Sequence, residues 1–392
     1  MSLLSLDNMG LSNFGIDHIK IQSSKKIMLM IALLFLITNC CLVPKHKVSA
    51  RFSEYQIETT VDSELAKYYL ESFNQSKINH PEFDKVIRGI SAEFNDQKPN
   101  RDILKQISDK TSIDFAALYF ARQMLNDKSN LILQKQFLLN LEYVKNQKIQ
   151  YNDSKSLILL VPGFDYVENG KVTGADFAKP KELLSQTGIQ VQLVGIDPIG
   201  SVEENAAFIS KTISSFPNRN ILIAGASSAG PAIHLALGES LTLDQTKHVK
   251  AWLNLGGVLQ GVPVLDQFSI GIKGFLFKTI VWFKDWRIKS FQSMQTAVSR
   301  DRFNRIKLPR HIYTLNYIGM SLSGDISRFA YDKYCLMRED GPNDGLSLLP
   351  DLVAPNSHTI LAPKSDHFFA EDPEIDIKTL ALLKTILDHL GY

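Results

Sequence analysis

The sequence predicts an α/β protein: a mostly parallel sheet with helices on both faces, preceded by a helical segment. Three observations carry this. Beyond residue 150, short and almost wholly apolar runs alternate with longer segments of helical periodicity. Runs of that kind belong to strands buried on both faces, which need crossover helices to cover them. One such run, in ILIAGASSAGPAIHLAL (residues 221–237), turns directly into a helix through a cluster of small residues around Ser227 and Ser228.

The 392-residue chain is 44% hydrophobic and 21% charged, a globular composition. Its formal net charge of +2 provides no basic field for nucleic acid, so no nucleic-acid partner is expected. The three cysteines, Cys40, Cys41 and Cys335, have no zinc spacing and build no disulfide framework.

Residues 1–50 are expected to be a signal peptide or an anchor. Lys25 and Lys26 precede the apolar run Ile27 to Thr38, and Val48-Ser49-Ala50 follows with small residues suited to cleavage after Ala50. Such a cut would leave Cys335 as the single cysteine, with no internal disulfide open to it. Two alternatives stand beside it, a lipoprotein signal ending at Cys40 and an uncleaved short membrane anchor. These three readings place the protein outside the cytoplasm, secreted, periplasmic or envelope-anchored, whereas a further one makes the apolar run a buried core helix.

Residues 51–150 read as a polar helical cap region. Its clearest part is Ser112 to Lys145, where Phe115, Leu118, Tyr119, Phe137, Leu138, Leu141 and Val144 recur at helical spacing around a turn at Asn126 to Ser129. From residue 151 onward the strand candidates are Leu157 to Val161, Ile189 to Ile196, Ile221 to Ala224, Ala251 to Leu255, Ile312 to Tyr317 and Thr359 to Ala362. Val202 to Phe216 and Ile375 to Leu390 have helical periodicity. In open sheets of this class, ligands bind beyond the carboxyl ends of the strands.

The chemistry-bearing residues fall at those ends. A serine at the tip of a tight strand-to-helix turn needs small neighbours two residues either side. Both Gly225-x-Ser227-x-Ala229 and Ala226-x-Ser228-x-Gly230 fit. Ser227 is favoured, because it places Gly225 directly after the strand. A serine nucleophile needs a histidine base and an acid in the chain order Ser, Asp, His. Of nine histidines, only His367 in KSDHFF follows a strand of this region and precedes the last helix. Asp344, in the N-D-G-L turn after the fifth strand candidate, is the expected acid, ahead of Asp340 and Glu339. The N–H groups of Phe164, in the Val161-Pro162-Gly163-Phe164 strand exit, and of Ser228 are the expected oxyanion donors.

LILLVPGF, LIAGASSAG and GPNDGLSLL followed by SDHFF resemble the bacterial lipase and esterase branch of the α/β-hydrolases over about residues 155–392. The resemblance implies an α/β-hydrolase fold with Ser227 as nucleophile, Asp344 as acid, His367 as base, and Phe164 and Ser228 as oxyanion donors. Pro162 stands where the family usually has His, Ala229 replaces a usual Gly, and Gly257-Val258-Leu259 replaces T-P-H. Phe369 occupies the place of a calcium-binding Asp of some relatives, which argues against carrying calcium over. No metal and no cofactor are expected.

An insertion at about 265–308 contains Phe268 to Trp286, dense in Phe, Ile and Trp. That composition suits a lid over an apolar cleft with contact to a membrane surface, and equally a buried helix. The expected function is hydrolysis of a carboxylic ester, with a lipid or another hydrophobic acyl ester as the substrate. An acyltransferase, or an envelope-anchored binding protein without turnover, would use the same scaffold.

Overall fold

The computed structural model describes residues 45–392 apart from 53–54, 74–78, 95–96 and 270. The signal or anchor expected up to residue 50 lies largely outside these residues. Its last part does not: β1 (His46–Phe52) pairs antiparallel with β2 (Tyr55–Val61) through every residue of both strands. A cut after Ala50 therefore falls inside β1. Residues 55–61, expected to be helical, are a strand because YQIETTV alternates with period two and turns Ile57 and Val61 into the core.

Helices follow: α1 (Glu64–Glu71), α2 (Pro81–Phe94), α3 (Arg101–Lys110), α4 (Ile113–Asn126) and α5 (Lys128–Asn146). The turn expected between the last two is a single residue, Asp127, whose carboxylate accepts from the N–H groups of Ser129 and Asn130 and so caps α5. The region is less polar than its composition implies. Nine consecutive residues of α4, Ile113 to Ala121, are buried, and most of them share one core with the hairpin and with Ile318, Met320 and Leu361 of the sheet.

The sheet has six strands in the order β4-β3-β5-β6-β7-β8: β3 (Ser156–Val161), β4 (Gln190–Leu193), β5 (Asn220–Ala226), β6 (Val249–Leu255), β7 (Tyr313–Met320) and β8 (His358–Pro363). Every pairing is parallel. The remaining longer helices are α6 (Ala178–Ser185), α7 (Val202–Ser214), α8 (Ala229–Leu235), α9 (Gly271–Phe283), α10 (Thr296–Arg305) and α11 (Ile375–Leu390). Ile158, Leu160, Leu222, Ala224 and Ala251 face α5, α6 and α11. Residues that alternate with them face the other way, where Trp252 stacks on His234 of α8 with ring centroids 6.1 Å apart.

The outer edge of β8 is closed by side chains rather than by a strand. Gln134 of α5 accepts from the Leu361 N–H at 2.9 Å and donates to its carbonyl at 3.1 Å, and Asn130 accepts from Thr359 N–H at 2.8 Å. This satisfies backbone groups that an open edge would leave for another chain. Cys335 is buried and disulfide-bonded.

Candidate active site

The carboxyl end of β5 builds the first part of the site. Ser227 has φ +55°, in the left-handed region, whereas Ser228 has φ −62°. A non-glycine residue held there costs about 1–3 kcal/mol. Three hydrogen bonds hold it: Ser227 N–H donates to Leu255 O at 3.1 Å, and Ser227 O accepts from Gly230 N–H at 3.0 Å and Val258 N–H at 3.2 Å. The small neighbours are a packing necessity. A Cβ on Gly225 would lie 2.3 Å from Ile233 Cδ1 and 3.1 Å from Ala229 Cβ. Ser227, not Ser228, therefore occupies the tip of the turn.

His367 lies beyond β8, where a Cβ on Gly256 would be 3.7 Å from its Nδ1 and 3.1 Å from the Phe369 ring. Its Nε2 is 2.9 Å from Ser227 Oγ and its Nδ1 is 2.8 Å from Asp344 Oδ2. A carboxylate only accepts, so Nδ1 carries the proton and Nε2 accepts from the hydroxyl. The loop is fixed from both sides: Asp366 accepts from Ser327 N–H at 2.7 Å and from Phe368 N–H at 2.8 Å. Asp344 is fully buried, and its Oδ1 accepts from the N–H groups of Leu346 at 2.9 Å and Ser347 at 2.8 Å. Glu339 and Asp340 are placed elsewhere. The Glu339 carbonyl accepts from Lys105, and Asp340 lines a polar cleft with Arg101 and Lys105.

Phe164 follows β3, and Gly163 brings that loop against the serine: a Cβ on Gly163 would be 3.6 Å from Ser227 Cβ. Neither the Phe164 nor the Ser228 backbone N–H donates to another group among the described residues. The structure thus brings together all five residues singled out in the sequence. Such an arrangement can draw the proton from a serine hydroxyl and offer two N–H donors to a developing oxyanion.

A cavity of about 600 Å³ opens at Ser227 and His367. Its walls were not foreseen: Ala224, Ala226, Leu253 and Leu255 from the sheet, Phe177 to Leu184 around α6, and Thr379 to Ile386 of α11. The one signal in the sequence was the pair of alanines at alternate positions of β5. The insertion between β6 and β7 forms α9, α10 and two shorter helices, but none of its described residues lines this cavity. It meets the site through Phe164, whose ring lies 5.6 Å from that of Trp286 and 5.2 Å from that of Phe291.

Among solved structures, a metagenomic carboxyl esterase, MGS0156, superposes with a TM-score of 0.50 at 17% identity, covering 62% of this chain and 77% of that one. The fold is that of the α/β-hydrolases. The Bacillus licheniformis lipase BlEst2 in its mature form aligns at a TM-score of 0.45 and 15% identity, over 62% of this chain and 95% of the lipase. No family model and no curated protein sequence matches the chain. Within this α/β-hydrolase fold the serine turn, the histidine loop and the aspartate turn all lie at carboxyl ends of parallel strands, where that architecture places its ligands.

Proposed function

We propose that the protein is a serine hydrolase that cleaves carboxylic esters with a hydrophobic acyl group. The observation that carries this reading is the 2.9 Å approach of His367 Nε2 to Ser227 Oγ at the mouth of an apolar cavity. Ser227 Oγ attacks the ester carbonyl while His367 takes its proton, and Asp344 stabilises the imidazolium that results. The N–H groups of Phe164 and Ser228 hold the oxyanion. His367 then protonates the departing alcohol, and water, deprotonated by the same ring, releases the acid and restores Ser227.

A fluorophosphonate probe tests this. Labelling that survives Ser228→Ala and vanishes in Ser227→Ala supports the assignment; an unlabelled, folded wild-type protein overturns it.

We further propose that the protein works outside the cytoplasm and touches lipid surfaces through α9. Phe275 and Trp282 are 72% and 74% exposed, and seven residues apart they share a face of that helix, with exposed Lys273, Lys278 and Lys284 around them. Apolar side chains flanked by lysines suit an anionic surface. Sedimentation with anionic but not zwitterionic vesicles is expected, weakened in a Phe275→Ser/Trp282→Ser variant; equal sedimentation of variant and wild type would reject it.

A further inference from the structure

The cavity extends far deeper than the serine chemistry requires. It runs down the face of the sheet, over three rungs set by strand register. The first is Ala226–Leu255–Tyr317, the second Leu160–Ala224–Leu253 and the deepest Ile158–Leu222–Ala251. Side chains in the middle of a six-stranded sheet are ordinarily covered by helices, yet Ala226, Leu253 and Leu255 are only half-buried, because the cavity reaches them. Leucines at 224 and 226 would fill this space; the alanines leave it open between the sheet and α11.

From Ser227 back to Leu222 the channel follows five residues of β5, about 16 Å of strand, the length of roughly a dozen methylene groups. Its inner end is aliphatic, and the burial of the side chains there closes it to solvent on that side. Ile158, Leu222, Ala251 and Ile386 are buried there, and no charged or hydrogen-bonding side chain joins them among the described residues. The charged lining residues, Lys171, Asp176, Lys179 and Asp376, all come from outside the sheet.

We propose that this channel holds one long, linear acyl chain and that Ala224 and Ala251 set how much of it is accepted. The proposal rests on the serine-hydrolase reading above. The closed end decides between the two halves of the ester. When the carbonyl carbon bonds to Ser227 Oγ and the C–O bond to the alcohol breaks, the alcohol leaves with the proton from His367 while the acyl group stays. An alcohol lodged in a blind channel would have to pass the acyl group on its way out. An acyl chain can remain there until water attacks and it departs as the acid. Ala224 lies midway and Ala251 at the end, so bulk at each should cut the chain at a different length.

The experiment measures kcat/KM for p-nitrophenyl esters from two to sixteen acyl carbons with wild type, Ala224→Phe and Ala251→Leu, each checked for folding by thermal unfolding. Wild type should gain up to about fourfold per methylene placed in the channel, levelling off at about ten to sixteen carbons. Ala224→Phe should lose the gain beyond about six to eight carbons, and Ala251→Leu only beyond about ten. Each profile is read relative to the same protein's own rate on the two-carbon ester, so that its shape and not its absolute height carries the comparison. Identical profiles in folded variants, or a wild type that prefers two to four carbons, would overturn the proposal while leaving ester hydrolysis intact. A separate readout is displacement of a fluorescent fatty acid from Ser227→Ala by dodecanoic acid. Displacement without any esterase activity in wild type would reject the hydrolase reading and keep the channel, whereas absence of both would reject the channel.

Discussion

His367 is attached to Asp344 twice: its backbone N–H donates to the Asp344 carbonyl at 2.8 Å, and its ring Nδ1 meets the Asp344 carboxylate at 2.8 Å. The backbone bond sets the loop, and the side-chain bond sets the ring. They are separable by mutation. Asp344→Asn leaves the carbonyl in place but presents an amide where a carboxylate orients the imidazole. A fall in kcat of about 10⁴ is expected, with little change in unfolding temperature. A variant that keeps a tenth of the wild-type rate would remove Asp344 from the chemistry.

Ser227 should trade stability for function. Its φ of +55° costs about 1–3 kcal/mol, and glycine would relieve that at about 0.5–1 kcal/mol of added chain entropy. Ser227→Gly is therefore expected to be more stable than Ser227→Ala by about 1 kcal/mol, with neither active. Chemical denaturation of the two variants gives the comparison; an alanine form at least as stable would mean that the turn is not strained.

The site was legible because each member is tied to a strand end. Once the apolar runs are read as parallel strands, Ser227, Asp344 and His367 must emerge at one edge. Ser227 could be preferred over Ser228 because that register puts Gly225 directly after the apolar run; in the structure Gly225 lies within β5, and what demands it is Ile233, which a Cβ there would meet at 2.3 Å. The hairpin was hidden because each strand has only seven residues and one overlaps the segment that resembles a cleavage site. The channel was hidden for a different reason. Alanines at 224 and 226 read as turn residues, and only the register of β3, β5 and β6 aligns them into an open groove.

Gln134 closes the sheet in place of a seventh strand. Gln134→Leu keeps the packing volume but orphans the N–H and C=O of Leu361, both in the interior. Each buried backbone group left unpaired costs about 1–3 kcal/mol, so a loss of about 2–6 kcal/mol is expected in urea unfolding, with faster amide exchange at Leu361. Unchanged exchange there would mean that the edge does not depend on this side chain.

His234 predicts a pH dependence of stability. Burial, with a smaller contribution from Arg302, pushes its pKa down to about 4, and its Nε2 has no hydrogen-bond partner among the described residues. Because the folded state resists protonation, the unfolded chain binds more protons between about pH 6.5 and 4. Stability from this group is full above about pH 6.5 and is lost as pH falls through that window, about 3 kcal/mol in all. His234→Phe retains the stacking on Trp252 and does not titrate. Its unfolding free energy should fall less steeply than that of wild type between about pH 7 and 4; parallel curves would show that His234 is protonated without cost.

The hairpin bears on where the mature chain begins. Cleavage after Ala50 would remove five of the seven residues of β1, including buried Val48 and Ala50, and would leave β2 paired only through Arg51 and Phe52. It would also break the 2.8 Å pair between His46 and Glu64. The core that Ile57 and Val61 share with α4 would then lose one wall. A processing cut, where one is made, is therefore expected upstream of His46, so that mass spectrometry of the protein isolated from its native cells should find an N-terminus at or before that residue. A chain engineered to start at Arg51 should be less stable by several kcal/mol, the order expected from uncovering two apolar side chains and a strand edge. A native N-terminus at Arg51 on a fully stable protein would mean that β1 is dispensable.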